Sequence, residues 1–205
     1  MNHNADSSTV HITPNDTMVN NAMPKENDMM KSMMATMELM NNSSMTNNFD
    51  IDFANSMIIH HQAAIDMSEL EIAKGGDVQI INMAKNIIKA QKAEITQMKN
   101  FVANYTLYPS DKIGDTKINT SAPKNILTDE MKSMMDKMHN MKMTGNTDDD
   151  FVMLMIPHHA SAVKMAKYEI AYGKETQLKN MAQKIIIDQN KEIAKFVGWS
   201  TKLNN

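Results

Sequence analysis

The chain has 205 residues, a formal net charge of −3 and 42% hydrophobic residues, an ordinary globular balance that points at no particular partner. All 21 basic residues are lysine, and without arginine, the residue suited to bidentate phosphate and base recognition, no nucleic-acid binding is expected. No apolar run approaches the ~20 residues of a membrane helix, so no transmembrane segment is expected. Against this background stand 24 methionines and no cysteine.

Residues 1–25 read as a disordered polar tether rich in Asn, Ser and Thr. They hold no apolar stretch of the kind that directs export. The expectation is a processed, exported chain, periplasmic or secreted, whose leader lies outside this sequence. The polar start suits a tether to the membrane, and a thiol-free chain fits an oxidising compartment.

The first predicted helix, 26–40, carries Met30, Met33, Met34, Met37 and Met40 on one stripe. The second, 49–74, carries an adjacent histidine pair. Successive helical side chains turn by about 100°, so His60 shares a face with Phe53, Ala64 and Met67. His61 lies with Met57 and Ile65. The pair therefore does not chelate one ion side by side: His60 with Met67 serves one cluster, and His61 with Met57 another. Ala64 allows a neighbouring backbone to approach near His60.

The third predicted helix, 77–104, buries Ile80, Met83, Ile87, Ile88, Gln91, Glu94 and Ile95. Gly75 and Gly76 precede it, where a helix C-cap favours glycine. Residues 105–125, with Pro109, Gly114 and Pro123, read as a linker.

The pattern then recurs. Residues 53–101 return as 151–199 at an ungapped offset of 98. Met57 falls on Met155, His60 and His61 on His158 and His159, Met67 on Met165, and Met83 on Met181. Glu71, Gly75, Gln91 and Glu94 fall on Glu169, Gly173, Gln189 and Glu192. The helix that opens this second copy is predicted over 128–143, with Thr128 as cap. It carries Met131, Met134, Met135, Met138 and Met141, with His139 and Met143 added. The last two helices are predicted over 148–172, with Thr147 as cap, and 174–201. Pro157 replaces Ile59 and removes one helical hydrogen bond just before His158, which either repositions ligands or bends the helix harmlessly.

Residues 26–104 and 126–201 are thus two tandem three-helix repeats. Their four long helices are expected to pack as one all-α four-helix bundle with pseudo-two-fold symmetry, the Met-rich helices covering its ends or flanks.

A buried histidine is usually a satisfied core residue, and methionine fills irregular cores. Here the histidine pair occurs twice with methionine at matched spacings, while the third helices use isoleucine for their core. Thioether is a soft donor that suits Cu(I), with Ag(I) as a surrogate, better than Zn²⁺, Ca²⁺ or Mg²⁺. Because thioethers do not titrate and histidine does, Met-dominated sites should keep Cu(I) in mild acid while His-containing sites weaken. Met83, Met98 and Met181 on the third helices complete the candidate set. Glu71, Glu169, Glu94 and Glu192, with Gln91 and Gln189, serve either as partners of the histidines or as buried or rim hydrogen-bond pairs, the latter being the plainer reading. Neither repeat has the Glu-x-x-His of a di-iron bundle, and no His-Glu-x-x-His, nucleophile–base pair or phosphate loop is present. No catalysis is expected.

The run Phe151-Val-Met-Leu-Met-Ile-Pro-His-His-Ala-Ser-Ala-Val-Lys-Met-Ala resembles the signature of the bacterial secreted family catalogued as domain of unknown function 305. Residues 53–67 match with Ile59 in place of proline, and 84–95 and 182–193 match its following helix. The resemblance implies a ferritin-like bundle, export and a copper-handling role carried by His60, His61, His158, His159 and their methionines. Family members frequently end this helix on Met then Trp. Here the first copy ends Met98…Phe101 and the second Phe196…Trp199, which places a site near Met98 in one repeat only. The leading reading is a Cu(I) sequestration, buffering or transfer protein, with a copper-transfer protein as partner. The alternative is a Met-rich partner-binding bundle without metal.

Overall fold

The computed structural model describes residues 28–41, 45–46, 48–107, 122–123 and 125–203. Every regular element among them is an α-helix: α1 Asp28–Asn41, α2 Phe49–Lys74, α3 Val78–Leu107, α4 Ile126–His139, α5 Thr147–Tyr172 and α6 Thr176–Leu203. The polar segment 1–25 and most of the expected linker lie outside the described residues, and residues 105–107 belong to α3.

The helix ends show how local chemistry sets the bounds. Asn48 and Asn146, not Thr147, cap α2 and α5, their side chains accepting from the N–H groups of Ile51 and Asp149. Acids follow in each first turn, where the helix dipole favours them. α4 begins two residues before the expected start: Asn125 caps it in the left-handed conformation, and Thr128 Oγ1 instead donates to the Asn125 carbonyl at 2.8 Å. α4 also stops at His139, so Met141 and Met143 lie beyond it. α5 runs unbroken through Pro157.

Gly75 and Gly173 are the C-caps of α2 and α5, as expected, each N–H donating to the carbonyl of Glu71 or Glu169. Both are extended, at φ −70° and −63°, and not left-handed. Glycine is favoured because a Cβ on Gly75 would meet the folded-back Glu71 side chain and lie 2.7 Å from the Glu71 backbone carbonyl oxygen, and one on Gly173 would meet Glu169 in the same way.

The two repeats interlock. α2 and α5 form the central antiparallel pair. α3 packs on α2 and α6 on α5, while α1 and α4 lie together along the other flank. Asp148, at the start of α5, accepts from the N–H groups of Gly76 and Asp77 at 3.1 and 2.8 Å. Asp50, at the start of α2, accepts from those of Lys174 and Glu175 at 2.9 and 2.8 Å. Each repeat thereby closes the interhelical turn of the other. Trp199 Nε1 adds a crossed contact, donating to Asp77 Oδ2 at 3.0 Å.

The core divides into two clusters, each drawn from both repeats. The first gathers Phe53, Met57 and Met98 with Met131, Met165 and Met181. The second gathers Met67 and Met83 with Met134, Met155, Phe151 and Phe196. Burying each such side chain stabilises by about 1.5–3 kcal/mol. The predicted α3 stripe is realised, with Ile80, Met83, Ile87, Gln91, Glu94 and Ile95 buried and Ile88 packed at its edge.

Candidate metal centre

Ala64 and Ala162, both fully buried, let α2 and α5 come close where they cross. The histidine pairs meet at that crossing. His60 stacks on His158 from the other repeat, their ring centroids 3.8 Å apart and planes inclined by 43°. His61 and His159 point outward from this pair, 6.5 and 6.2 Å from their neighbours, towards α3 and α6. The result is a row of four imidazoles, His61–His60–His158–His159, running through the core with no ring more than 1% exposed.

The outer rings are oriented by carboxylates. His61 Nε2 lies 2.9 Å from Glu94 Oε2, and His159 Nε2 lies 2.8 Å from Glu192 Oε2. Burial pushes the Glu94 carboxyl upward, but the His61 hydrogen bond and Lys184 outweigh it, and its pKa lies below the usual 4.5. A carboxylate accepts only, so Nε2 of a neutral His61 must carry the proton and Nδ1 must present its lone pair. This is the arrangement by which an outer carboxylate fixes the tautomer of a metal-ligating histidine. Lys184 holds the other oxygen of Glu94 at 3.0 Å.

The inner rings are held neutral. Burial, reinforced by the neighbouring imidazoles, keeps the pKa of His60 and of His158 well below 6.5. Both nitrogens of His60 and His158, and Nδ1 of His61 and His159, are buried without a hydrogen-bond partner, as are Gln91 Nε2 and Oε1 and Gln189 Oε1. Buried polar atoms left unpaired cost roughly 1–3 kcal/mol each, and native cores seldom keep them without a bound water or ion. Among the described residues no three His, Asp or Glu side chains are grouped to hold a metal. The further donors on the faces of His61 and His159 are the fully buried thioethers of Met57 and Met155, one turn earlier on each helix, a combination that fits a soft ion.

The expected residues distribute as follows. Met57 and Met67 fall in separate clusters, as the helical wheel requires. His60 faces His158 of the other repeat. Glu94 and Glu192 are partners of the outer histidines, against the plainer expectation of pairs of their own. Glu71 and Glu169 are not; they sit at the far turns, beside Asp148 and Asp50 respectively. The buried row of α1 is Met29, Met33, Thr36 and Met40, with Met30 half-buried and Met34 off it at 49% exposure. The side chain of Met37 lies outside the described residues. On α4, Met134 and Met138 are buried, with Met131 and Met135, whereas His139 is exposed; Met141, beyond the helix, is only half-buried. Met83 and Met155 line the second cluster, and Met98, Met165 and Met181 the first. Met29 was absent from the predicted stripe, although its spacing of four from Met33 is the signal that marks it.

The family model described as a domain of unknown function (DUF305) matches residues 2–102 and 109–200. The chain belongs to this family. Among solved structures it is similar to CopM, at 27% identity, in Cu(I)-bound, Cu(II)-bound and Ag-bound forms. Against the Cu(I)-bound form the TM-score is 0.56, covering 76% of this chain and 98% of CopM. A DUF305 protein from Streptomyces coelicolor is 21% identical with a TM-score of 0.57, covering 77% of this chain and 94% of that one. A DUF305 fragment from Deinococcus radiodurans is 19% identical with a TM-score of 0.55, covering 75% of this chain and 96% of the fragment. No curated protein matches the chain.

Proposed function

We propose that this chain is an exported Cu(I)-binding protein that sequesters, buffers or passes on copper through methionine and histidine, and that it is not an enzyme. The observation that carries the reading is the outer His–Glu pair. His61 is buried, its Nε2 is committed to Glu94, and its Nδ1 has no partner. Met57, one helical turn earlier, supplies a fully buried thioether on the same face. Thioether and imidazole together select a soft monovalent ion, with Ag(I) as surrogate. CopM, solved with copper and silver, supports the same chemistry at family level. The absence of cysteine suits an oxidising location, and no helix among the described residues is long and apolar enough to cross a membrane.

Release or transfer to a second copper protein would use acid or a competing ligand set, because each histidine must lose its metal to gain a proton. Anaerobic Cu(I) titration against a competing chelator tests the reading. Tight Cu(I) binding that survives excess Zn²⁺ is expected, and it should weaken in the His60→Ala/His61→Ala variant while helix content stays intact. Lack of competition with the chelator would refute it.

A second reading is a Met-rich partner-binding module. The exposed side of α1, with Met34 at 49% and Leu39 at 60% exposure, favours it. In that case the chain would leave copper with the chelator and retain a partner instead.

A further inference from the structure

We infer that the two symmetry-related histidine–carboxylate sites are not equivalent: Met98 makes the His61 site the soft-metal site, and Phe196 closes the His159 site. This rests on the copper reading above. The 98-residue offset carries Phe53, Met57, His61, Glu94 and Met98 onto Phe151, Met155, His159, Glu192 and Phe196. Four of these five positions keep the same residue. The fifth replaces a thioether with a phenyl ring.

The second copy shows what that fifth position touches. The Phe196 ring lies 6.0 Å from the His159 ring and 5.8 Å from Phe151, edge-on to both. It is fully buried, one turn beyond Glu192 on the same face of α6. Met98 holds the corresponding place in the first copy. It is fully buried, one turn beyond Glu94, in the cluster that also contains Phe53 and Met57. By the same symmetry Met98 on α3 lies beside the His61 ring, and Met57 on α2 shares its face one turn earlier, so the His61 site has two sulfur-bearing positions. At His159 the second sulfur is replaced by a hydrocarbon ring that fills the space and donates nothing to a metal.

The carboxylates differ in the same direction. Glu94 is 7% exposed and held by Lys184, whereas Glu192 is 21% exposed. The residue matching Lys184 in the first repeat is Asn86, so symmetry provides Glu192 with no such lysine. The His61 site is the drier and the more sulfur-rich of the two. A dry site with two thioethers favours Cu(I) over Cu(II) and over borderline divalent ions.

The test exchanges the sulfur between copies in the full chain. Met98→Leu removes the thioether at nearly constant volume, a change cores tolerate well. Phe196→Met writes the first copy's residue into the second. Anaerobic Cu(I) competition against a chelator should show Met98→Leu weakening the tightest site at least tenfold, and Phe196→Met adding a tight equivalent. Circular dichroism confirms that each variant is folded, and since the variants alter opposite ends of the core, either one alone decides the matter. Unchanged affinity and stoichiometry in a folded variant would overturn the inequivalence while leaving the copper reading in place. No Cu(I) binding by the unaltered chain would overturn both.

Discussion

His60 and His158 are buried for a purpose different from that of His61 and His159. The inner pair has no carboxylate partner and is held neutral by burial, with a folded pKa well below 6.5. In the unfolded chain each would take a proton near 6.5, so the unfolded state binds more protons as the pH falls below that value. The stability these two histidines contribute should therefore fall as the pH drops from about 6.5 towards the depressed folded values, against the opposite trend of the buried carboxyls described below. Urea denaturation of the parent and of a His60→Gln/His158→Gln variant at pH 7.5 and 5.0 isolates it: the variant should gain stability relative to the parent at pH 5.0, and an equal difference at both pH values would place the acid sensitivity elsewhere. The outer pair acts through Glu94 and Glu192. Glu94→Gln would leave a neutral amide at His61 Nε2, remove the preference for one tautomer and weaken Cu(I) binding by 10–100-fold, as outer-shell changes do at other metal sites. Chelator competition measures it. The need for His61 and Glu94 to act together was only half legible in the sequence. Helical spacing put Gln91 and Glu94 on the core face of α3, but nothing local says which residue of α2 faces Glu94. The stacking of His60 on His158 was not legible at all, because a repeat shows that an axis exists and not where it passes.

At the scale of the helices, the sequence signals were strong where chemistry is local. The bounds of α2 follow from Asn48 at one end and the Glu71–Gly75 contact at the other. α4 was misplaced by two residues at its start because Thr128 has the chemistry of a cap but sits one turn inside, donating to Asn125. The glycines are legible as C-caps, and the structure adds a contact that capping preferences do not encode, the glutamate folded back over each of them. That contact yields its own pH dependence. Burial, with Asp148 beside it, raises Glu71 to about 8, and burial with Asp50 raises Glu169 to about 9. Asp77 also faces Glu71, while Lys179 and Glu175 face Glu169 with opposite effects. These carboxyls are protonated in the folded state at neutral pH and ionised in the unfolded chain above about 4.5. The stability they contribute is complete below 4.5 and is lost as the pH rises to about 8 for Glu71 and about 9 for Glu169. Glu71→Gln/Glu169→Gln should remove the part of the decline in stability that falls between about pH 5 and pH 9. A variant that loses as much stability over that range as the parent would place the decline in other groups.

The six helices are tied together because their turns and their clusters are shared between repeats. Asp50 and Asp148 each close the other repeat's turn, and both methionine clusters draw on both repeats. Unfolding should therefore follow a single cooperative transition, and Cu(I) at about a hundredfold excess over Kd should raise the midpoint by roughly 5–10 °C. Calorimetry on the apo and copper-loaded protein checks both, two separated transitions being the contrary result. The central claim, that a soft ion sits between thioether sulfur and the free nitrogen of His61, is tested most directly by copper K-edge X-ray absorption on protein loaded anaerobically with a single equivalent of Cu(I). A mixed shell of sulfur and imidazole nitrogen is predicted, with the nitrogen contribution lost in His61→Ala. A pure sulfur shell that His61→Ala leaves unaltered would contradict the account.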